Sequence, residues 1–234
     1  RQIFDELVTL SSFQAYEANG RNNPDLLESA DLDFLKQEQI FSLEAGYKAL
    51  IKDHFFIDLN IYRNVYRKLV SRVSAYSLNV ERAFSVYTNI DQPIQSWGAS
   101  VGVSIKTDQG FRVSGNYTFA TYDADEARTA NPGFVPGFNM PRHRINAQIQ
   151  HRDVYKGLGF GVAYRWSDMY MWESPFGIGE IPSFQVWDAS IHYAIPDSRF
   201  TLKFGASNLL NQEYQTVYGG PRVGRQYFLS LLFE

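Results

Sequence analysis

From about residue 40 to the C-terminus, apolar and polar residues change places at almost every step, in segment after segment. A period of two describes a strand with two unlike faces and excludes an amphipathic helix. Phe41, Leu43, Ala45, Tyr47, Ala49 and Ile51 share one face, with Ser42, Glu44, Gly46 and Lys48 on the other. Phe55, Ile57, Leu59 and Ile61 alternate with Asp58, Asn60, Tyr62 and Asn64. The design returns around Trp97–Lys106, Phe111–Phe119, Arg144–Gln150, Leu158–Ser167, Trp187–Tyr193 and Phe200–Ser207. In the last segment Tyr227, Leu229, Leu231 and Phe233 oppose Gln226, Ser230 and Glu234.

The connections carry a second pattern. Short turns at Lys52-Asp53, Thr107–Gly110, Asp153–Gly157 and Pro196–Ser198 alternate with long segments near 68–92, 122–141, 171–183 and 211–223. Short turns on one side and long loops on the other are the habit of outer-membrane barrels. The strands read as about 11–14 residues, where a soluble sheet averages about 5–6 and a tilted bilayer-spanning strand needs about 9–11. Trp97, Tyr122, Tyr155, Trp166, Trp172, Trp187, Tyr193 and Tyr227 fall near strand ends, as two interfacial girdles would. A soluble sandwich or lipocalin-like barrel shares the alternation; strand length, loop asymmetry and girdles favour the membrane. The predicted fold is therefore all-β, an antiparallel transmembrane β-barrel.

About nine strands can be read, plus a less regular Phe4–Leu10 segment, whereas single-chain bacterial barrels have an even number. An open sheet in lipid would leave two unpaired edges, each orphan backbone group costing several kcal/mol. The expectation is a part of a larger barrel. Residues 1–38, with the turn formers Asn19–Pro24, read as a long extracellular loop region, and 39–234 as C-terminal barrel strands. Counting turns puts the C-terminus on the periplasmic side. Because Phe233 lies one residue short of the end, the native chain is expected to continue past Glu234. Arg63 and Asn208 fall on the apolar face, which calls for a bulge or a position above the membrane.

Composition excludes other classes. A net charge of −3 is no footprint for nucleic acid. The absence of cysteine removes disulfides, thiolate metal sites and a cysteine nucleophile. No apolar run is long enough for a transmembrane helix. His54, His143, His151 and His192 lack metal-ligand spacing, so no metal site is expected. No G-x-S-x-G occurs and no catalytic residue is assigned; the chain does not read as an enzyme. Asp123, Asp125 and Glu126 read as a solvated acidic loop rather than a calcium or cation site.

Three stretches resemble a known family. Asn23-Pro24-Asp25-Leu26, then Leu35–Glu38 leading into Glu44-Ala45-Gly46-Tyr47-Lys48, is similar to the "NP-L…L-x-x-E…E-x-G-Y-K" stretch of TonB-dependent outer-membrane receptors. Asn208-Leu209-Leu210-Asn211-Gln212-Glu213-Tyr214 resembles their penultimate-strand "NL-hydrophobic-N-x-x-Y" signature. Pro221–Tyr227 resembles the "P-x-x-G-R-x-Y" that opens their last strand, where Gly224 and Arg225 read as structural. Gln37 departs from the family's frequent Pro. The style of the motifs is similar to Bacteroidetes-type receptors. The resemblance implies a barrel of about 22 strands around an N-terminal plug. It further implies energy-coupled import of a scarce nutrient such as a siderophore, haem, cobalamin, glycan or peptide. The implied partners are outer-membrane lipid, the plug, the TonB complex, the nutrient and a surface lipoprotein. No cofactor is expected. A passive porin or adhesin-like barrel is the alternative, separated from the first by a plug of roughly 120–150 residues upstream.

Arg112, Asn116, Arg144, Asn146, Gln148, Gln150 and Arg165 would line one sector of the lumen. They could guide an anionic or polar ligand, or simply hydrogen-bond the plug and water. Near the outer rim, Tyr170, Trp172, Tyr218 and Arg222, with Met171 and Tyr214 beside them, could stack on a ligand; aromatic residues there also serve as girdle anchors.

Overall fold

The computed structural model describes residues 7–30, 34–131, 133–174 and 177–233. In chain order the elements are β1 (Leu7–Thr9), α1 (Leu10–Ala18), β2 (Gln39–Ile51), β3 (Phe55–Arg67), β4 (Leu69–Ser77), β5 (Arg82–Ile90), β6 (Ile94–Lys106) and β7 (Phe111–Asp123). There follow α2 (Asp125–Ala130), β8 (His143–Tyr155), β9 (Leu158–Ser167), β10 (Tyr170–Ser174), β11 (Gly177–Ile181), β12 (Phe184–Ala194), β13 (Phe200–Ser207) and β14 (Gln226–Phe233). Nine of them make one sheet in the order β14-β13-β12-β9-β8-β7-β6-β3-β2. These are the nine strands expected from the alternation, each beside its sequence neighbour.

The tight ends are set by left-handed residues. Lys52 and Asp53, with φ of 50° and 57°, join β2 to β3, and Lys156 and Gly157, at 48° and 87°, join β8 to β9. Positive φ at both central residues is the type I′ turn, whose twist matches that of paired strands. A Cβ on Gly157 would approach the Ala194 carbonyl to 2.7 Å, so glycine is needed there twice over.

One face of the sheet is apolar and uncovered. Ile61, Ile191, Phe204, Leu229 and Leu231 are between 48% and 69% exposed. In water this would be a liability; in a membrane barrel it is the lipid-facing surface. Tyr164 and Trp187 pack with ring centroids 4.7 Å apart near one end of their strands.

Details of the strands differ from the sequence reading. β13 and β14, with eight residues each, fall furthest short of the expected 11–14, and β9 has ten. The reason is local: at Asn208 the backbone turns left-handed, with φ 55°, and leaves the strand. Asn208 is therefore not a misfit on the apolar face, whereas Arg63 does stay within β3. The polar face of β14 carries Phe228 as well as Gln226 and Ser230. Its ring covers Gly205, where a side chain would collide with it.

The chain forms two compact units, one from Arg1–Ser42, Asn64–Ser96 and Tyr122–Gly137, the other from Leu43–Arg63, Trp97–Thr121 and Phe138–Glu234. In the first, the segment read as an unbroken long loop near 68–92 is the hairpin of β4 and β5. β1 adds to its edge at Leu7↔Ser77. Only Leu7–Leu10 of the Phe4–Leu10 segment, and not Glu234, lie within the described residues. The stretch 1–38 also contains α1, capped by the Thr9 hydroxyl accepting from Ser12 N. Phe13 on that helix stacks on Tyr76 of β4 at 3.5 Å between centroids. Asn23 accepts from Asp25 N at 3.2 Å and starts a single 3-10 turn, which accounts for the Asn-Pro motif. Asn89 grips the extended chain at Lys36 through both amide atoms, at 2.6 and 2.9 Å. Glu38 accepts from Val70 N at 2.6 Å.

Candidate functional site

The polar face of the second unit collects the candidates. Arg112 lies opposite Gln150, Ser114 opposite Gln148, Asn116 opposite Asn146 and Thr118 opposite Arg144. Across the next ladder, Asn146 faces Arg165 and Arg144 faces Ser167. Directly paired residues share a face, so all seven predicted polar residues stand on one surface. Asn146 donates to Asn116 Oδ1 at 2.8 Å. With Asp58, Ser100 and Ser104, Asn116, Asn146 and Arg165 line an open concavity of about 560 Å³. Small residues at 100, 102 and 104 leave that volume free, because long side chains would fill it.

One member of the site was missed. Asp188, two positions from Val186, which pairs with Arg165, accepts a charge-assisted bond from Arg165 Nη2 through Oδ2 at 3.1 Å. Its Oδ1 accepts from the Ser207 hydroxyl and from Asn208 N, each at 2.8 Å. The signal was available: a carboxylate on the polar face, one strand from an arginine.

Asn208 is 1% exposed and organises the turn that follows. Its side-chain oxygen accepts from Gln212 N at 3.0 Å, and its Nδ2 donates to the Gln212 carbonyl at 2.8 Å. Asn211, also left-handed with φ 55°, accepts from Arg225 N at 2.9 Å. Tyr214 and Val223 exchange backbone bonds of 3.3 and 2.7 Å. The two signature stretches, separated in sequence, thus meet in one joint that launches β14, and Gly224 and Arg225 act there structurally.

The rim candidates divide. Tyr170 and Trp172 lie on β10, which pairs with β11 through Tyr170↔Ile181 and Trp172↔Gly179. The Tyr218 ring covers Gly179, where a β-carbon would collide with it, and borders Gly177. Tyr170 Oη donates to the Thr216 carbonyl at 2.9 Å. These contacts bring Tyr170, Trp172 and Tyr218 to one face of the hairpin. Arg222 is instead paired with Glu213 at 3.3 Å in an exposed ion pair. Partial burial pushes the Tyr170 phenol above its ordinary value, and the nearby positive charge of Arg144 pulls the other way. Tyr170 from the rim set and Arg144 from the polar-face set are therefore neighbours.

The remaining candidates have local partners. His54 lies 3.6 Å from Asp108, His151 Nε2 contacts the Gln109 carbonyl at 2.6 Å, His192 Nε2 contacts the Arg152 carbonyl at 2.8 Å, and His143 Nδ1 meets Tyr117 Oη at 2.8 Å. Among the described residues no group of three or more carboxylates and histidines is placed to hold a metal. Asp125 and Glu126 form the first turn of α2, where negative charge is favoured.

Comparison with known proteins agrees with this geometry. Residues 6–209 match the family model described as TonB dependent receptor-like, beta-barrel. The chain belongs to that family of outer-membrane transport receptors. Among solved structures it is similar to the siderophore receptor PirA from Acinetobacter baumannii, with TM-score 0.60 and 17% identity over 84% of this chain and 32% of that one. It is also similar to the copper transporter OprC, with TM-score 0.63 and 12% identity over 91% and 33%. A third is the pyoverdine outer membrane receptor FpvA from Pseudomonas aeruginosa, with TM-score 0.62 and 15% identity over 86% and 30%. The chain spans about a third of the length of these structures, which share its fold. No curated protein sequence matches it.

Proposed function

We propose that the protein is the C-terminal wall of a receptor that imports a scarce nutrient across the outer membrane by TonB-dependent, energy-coupled transport. The observation that carries this reading is the nine-stranded sheet itself, apolar and exposed on one face, polar and concave on the other. In this reading residues 39–234 supply barrel strands, residues 1–38 belong to the extracellular loops, and the C-terminus is periplasmic. Arg112, Asn116, Arg144, Asn146, Gln148, Gln150 and Arg165 line the lumen. Tyr170, Trp172, Tyr218 and Arg222 belong to the outer rim where ligand arrives. The partners are lipid, an N-terminal plug, the TonB complex, the nutrient and a surface lipoprotein that hands it over. The ligand is of the kinds named above, a siderophore, haem, cobalamin, glycan or peptide; PirA, OprC and FpvA serve siderophore, copper and pyoverdine.

The test is uptake by cells carrying the full-length receptor, with and without TonB and with the proton-motive force collapsed. Accumulation of a candidate nutrient that needs both supports the reading. Uptake of every candidate that persists without either identifies a passive porin and overturns it.

A further inference from the structure

The polar face is not balanced in charge. Between the turns and the loops, β7, β8, β9, β12 and β13 place Arg112, Arg144, Arg165 and Lys203 on it, with Asp188 as their carboxylate; Asp58 on β3, which also lines the concavity, is paired with Lys48 at 3.3 Å. Lys203 rests over the Phe228 ring at 5.7 Å. Arg165 shares its charge with Asp188 at 3.1 Å. Arg144 has no carboxylate partner among the described residues.

Arg144 and Arg165 are diagonal neighbours on adjacent strands, because Asn146 faces Arg165 and Arg144 faces Ser167. Long side chains at such positions, whose Cα atoms are about 7–8 Å apart, reach a common point. The Arg165 side chain is 45% exposed and Arg144 is exposed as well, so both are open to a ligand. Two planar guanidinium forks around one point are the arrangement that binds carboxylate or phosphate through paired hydrogen bonds. Asp188 cannot leave Arg165 freely. Its other oxygen is held by Ser207 and Asn208, so it keeps one edge of the guanidinium oriented.

We propose that Arg144 and Arg165 form an oxyanion-binding site on this face and that the ligand presents a carboxylate, phosphate or similar anionic group to it. Asp188 is its positioning residue, which aims Arg165 and competes weakly with the ligand for it. The proposal rests on the import reading, which it narrows to anionic ligands.

The experiment uses the purified full-length receptor and arginine labelling by phenylglyoxal, read residue by residue by mass spectrometry. Citrate is the anionic probe, glucose the neutral control, and Arg199, in the turn between β12 and β13, the internal reference. Citrate at twice its dissociation constant should slow labelling of Arg144 and Arg165 about threefold, by simple occupancy. Glucose should do nothing, and Arg199 should label at one rate throughout. No slowing, equal slowing at Arg199, or failure of both arginines to label at all would overturn the site. Asp188→Asn removes the charge that aims Arg165 while keeping an oxygen for Ser207 and Asn208, so protection of Arg165 should need more citrate. Protection that is unchanged or stronger in Asp188→Asn would overturn the positioning role. Labelling needs no energy source, so the two readings fail separately: import without protection sinks the site, and protection without TonB-dependent import sinks the import reading.

Discussion

The backbone amide of Asn208 donates to Asp188 Oδ1 at 2.8 Å, tying the last signature turn to a carboxylate on the neighbouring strand. The buried Asn208 side chain then makes bonds to Gln212 that no apolar residue could make. Asn208→Ala should destabilise the barrel by about 2–4 kcal/mol, because it strips partners from buried groups and leaves a β-carbon in a left-handed backbone. Asn208→Gly loses the same bonds but should be milder by about 1 kcal/mol, since glycine accepts that backbone. Urea unfolding of the full-length receptor in liposomes checks both, and equal loss in the two would refute the conformational part.

Tyr218 and Gly179 are mutually exclusive of any β-carbon between them. Gly179→Ala should therefore lift Tyr218 off the β10–β11 hairpin and expose the loop between β13 and β14. Limited proteolysis should cut within 211–223 faster than in the parent. In a Tyr218→Ala background the same change should add nothing, and an additive effect would show that the glycine matters for another reason.

The Tyr170 phenol is held neutral to higher pH than an ordinary tyrosine, whose value is 10.0. A group whose folded value is raised supports the fold below the unfolded value and loses that support as pH climbs through the folded one. Docking of the hairpin on Thr216 should thus be intact at neutral pH and weaken above about pH 10. Arg144→Gln removes the opposing cation and should shift the ultraviolet-detected ionisation of Tyr170 further upward. A downward shift would be incompatible with the neighbourhood described.

Ile191 is 54% exposed on the apolar face, while Ser190 beside it faces the other way. Ile191→Arg should cost about 2–4 kcal/mol in a bilayer, the price of a cation at lipid depth. Ser190→Arg, one residue away, should cost far less. Comparable losses at the two positions would contradict the assignment of faces.

The sheet was legible because its information is repeated. Each face is written many times over, so single exceptions such as Phe228 did not disturb the pattern. Strand lengths were less legible where one residue decides: nothing in the alternation announces that Asn208 leaves the strand, because the cause is a backbone angle. The helix α1 was hidden by brevity. Its nine residues carry no acidic first turn or basic last turn, and its contact is with Tyr76, far along the chain. The polar-face residues were found by parity, yet Asp188 was overlooked because its role depends on three partners, one on β9, one at the end of β13 and one in the turn that follows. Likewise Tyr170 and Arg144 fell into different sets, although a folded loop brings them together.

Lys156 and Gly157 span the gap between β8 and β9 with nothing to spare. The irregularity between His151 and Tyr155 already takes up extra residues in this hairpin; one more, inserted at the turn and not absorbed by such a bulge, would shift β9 by one place and exchange the faces of Arg165 and Trp166. Composition, net charge and hydropathy would hardly change, yet every side chain on the strand would meet the wrong solvent. The short turns therefore act as counters that preserve parity, and the freedom to gain or lose residues in evolution is left to the loops at the opposite end.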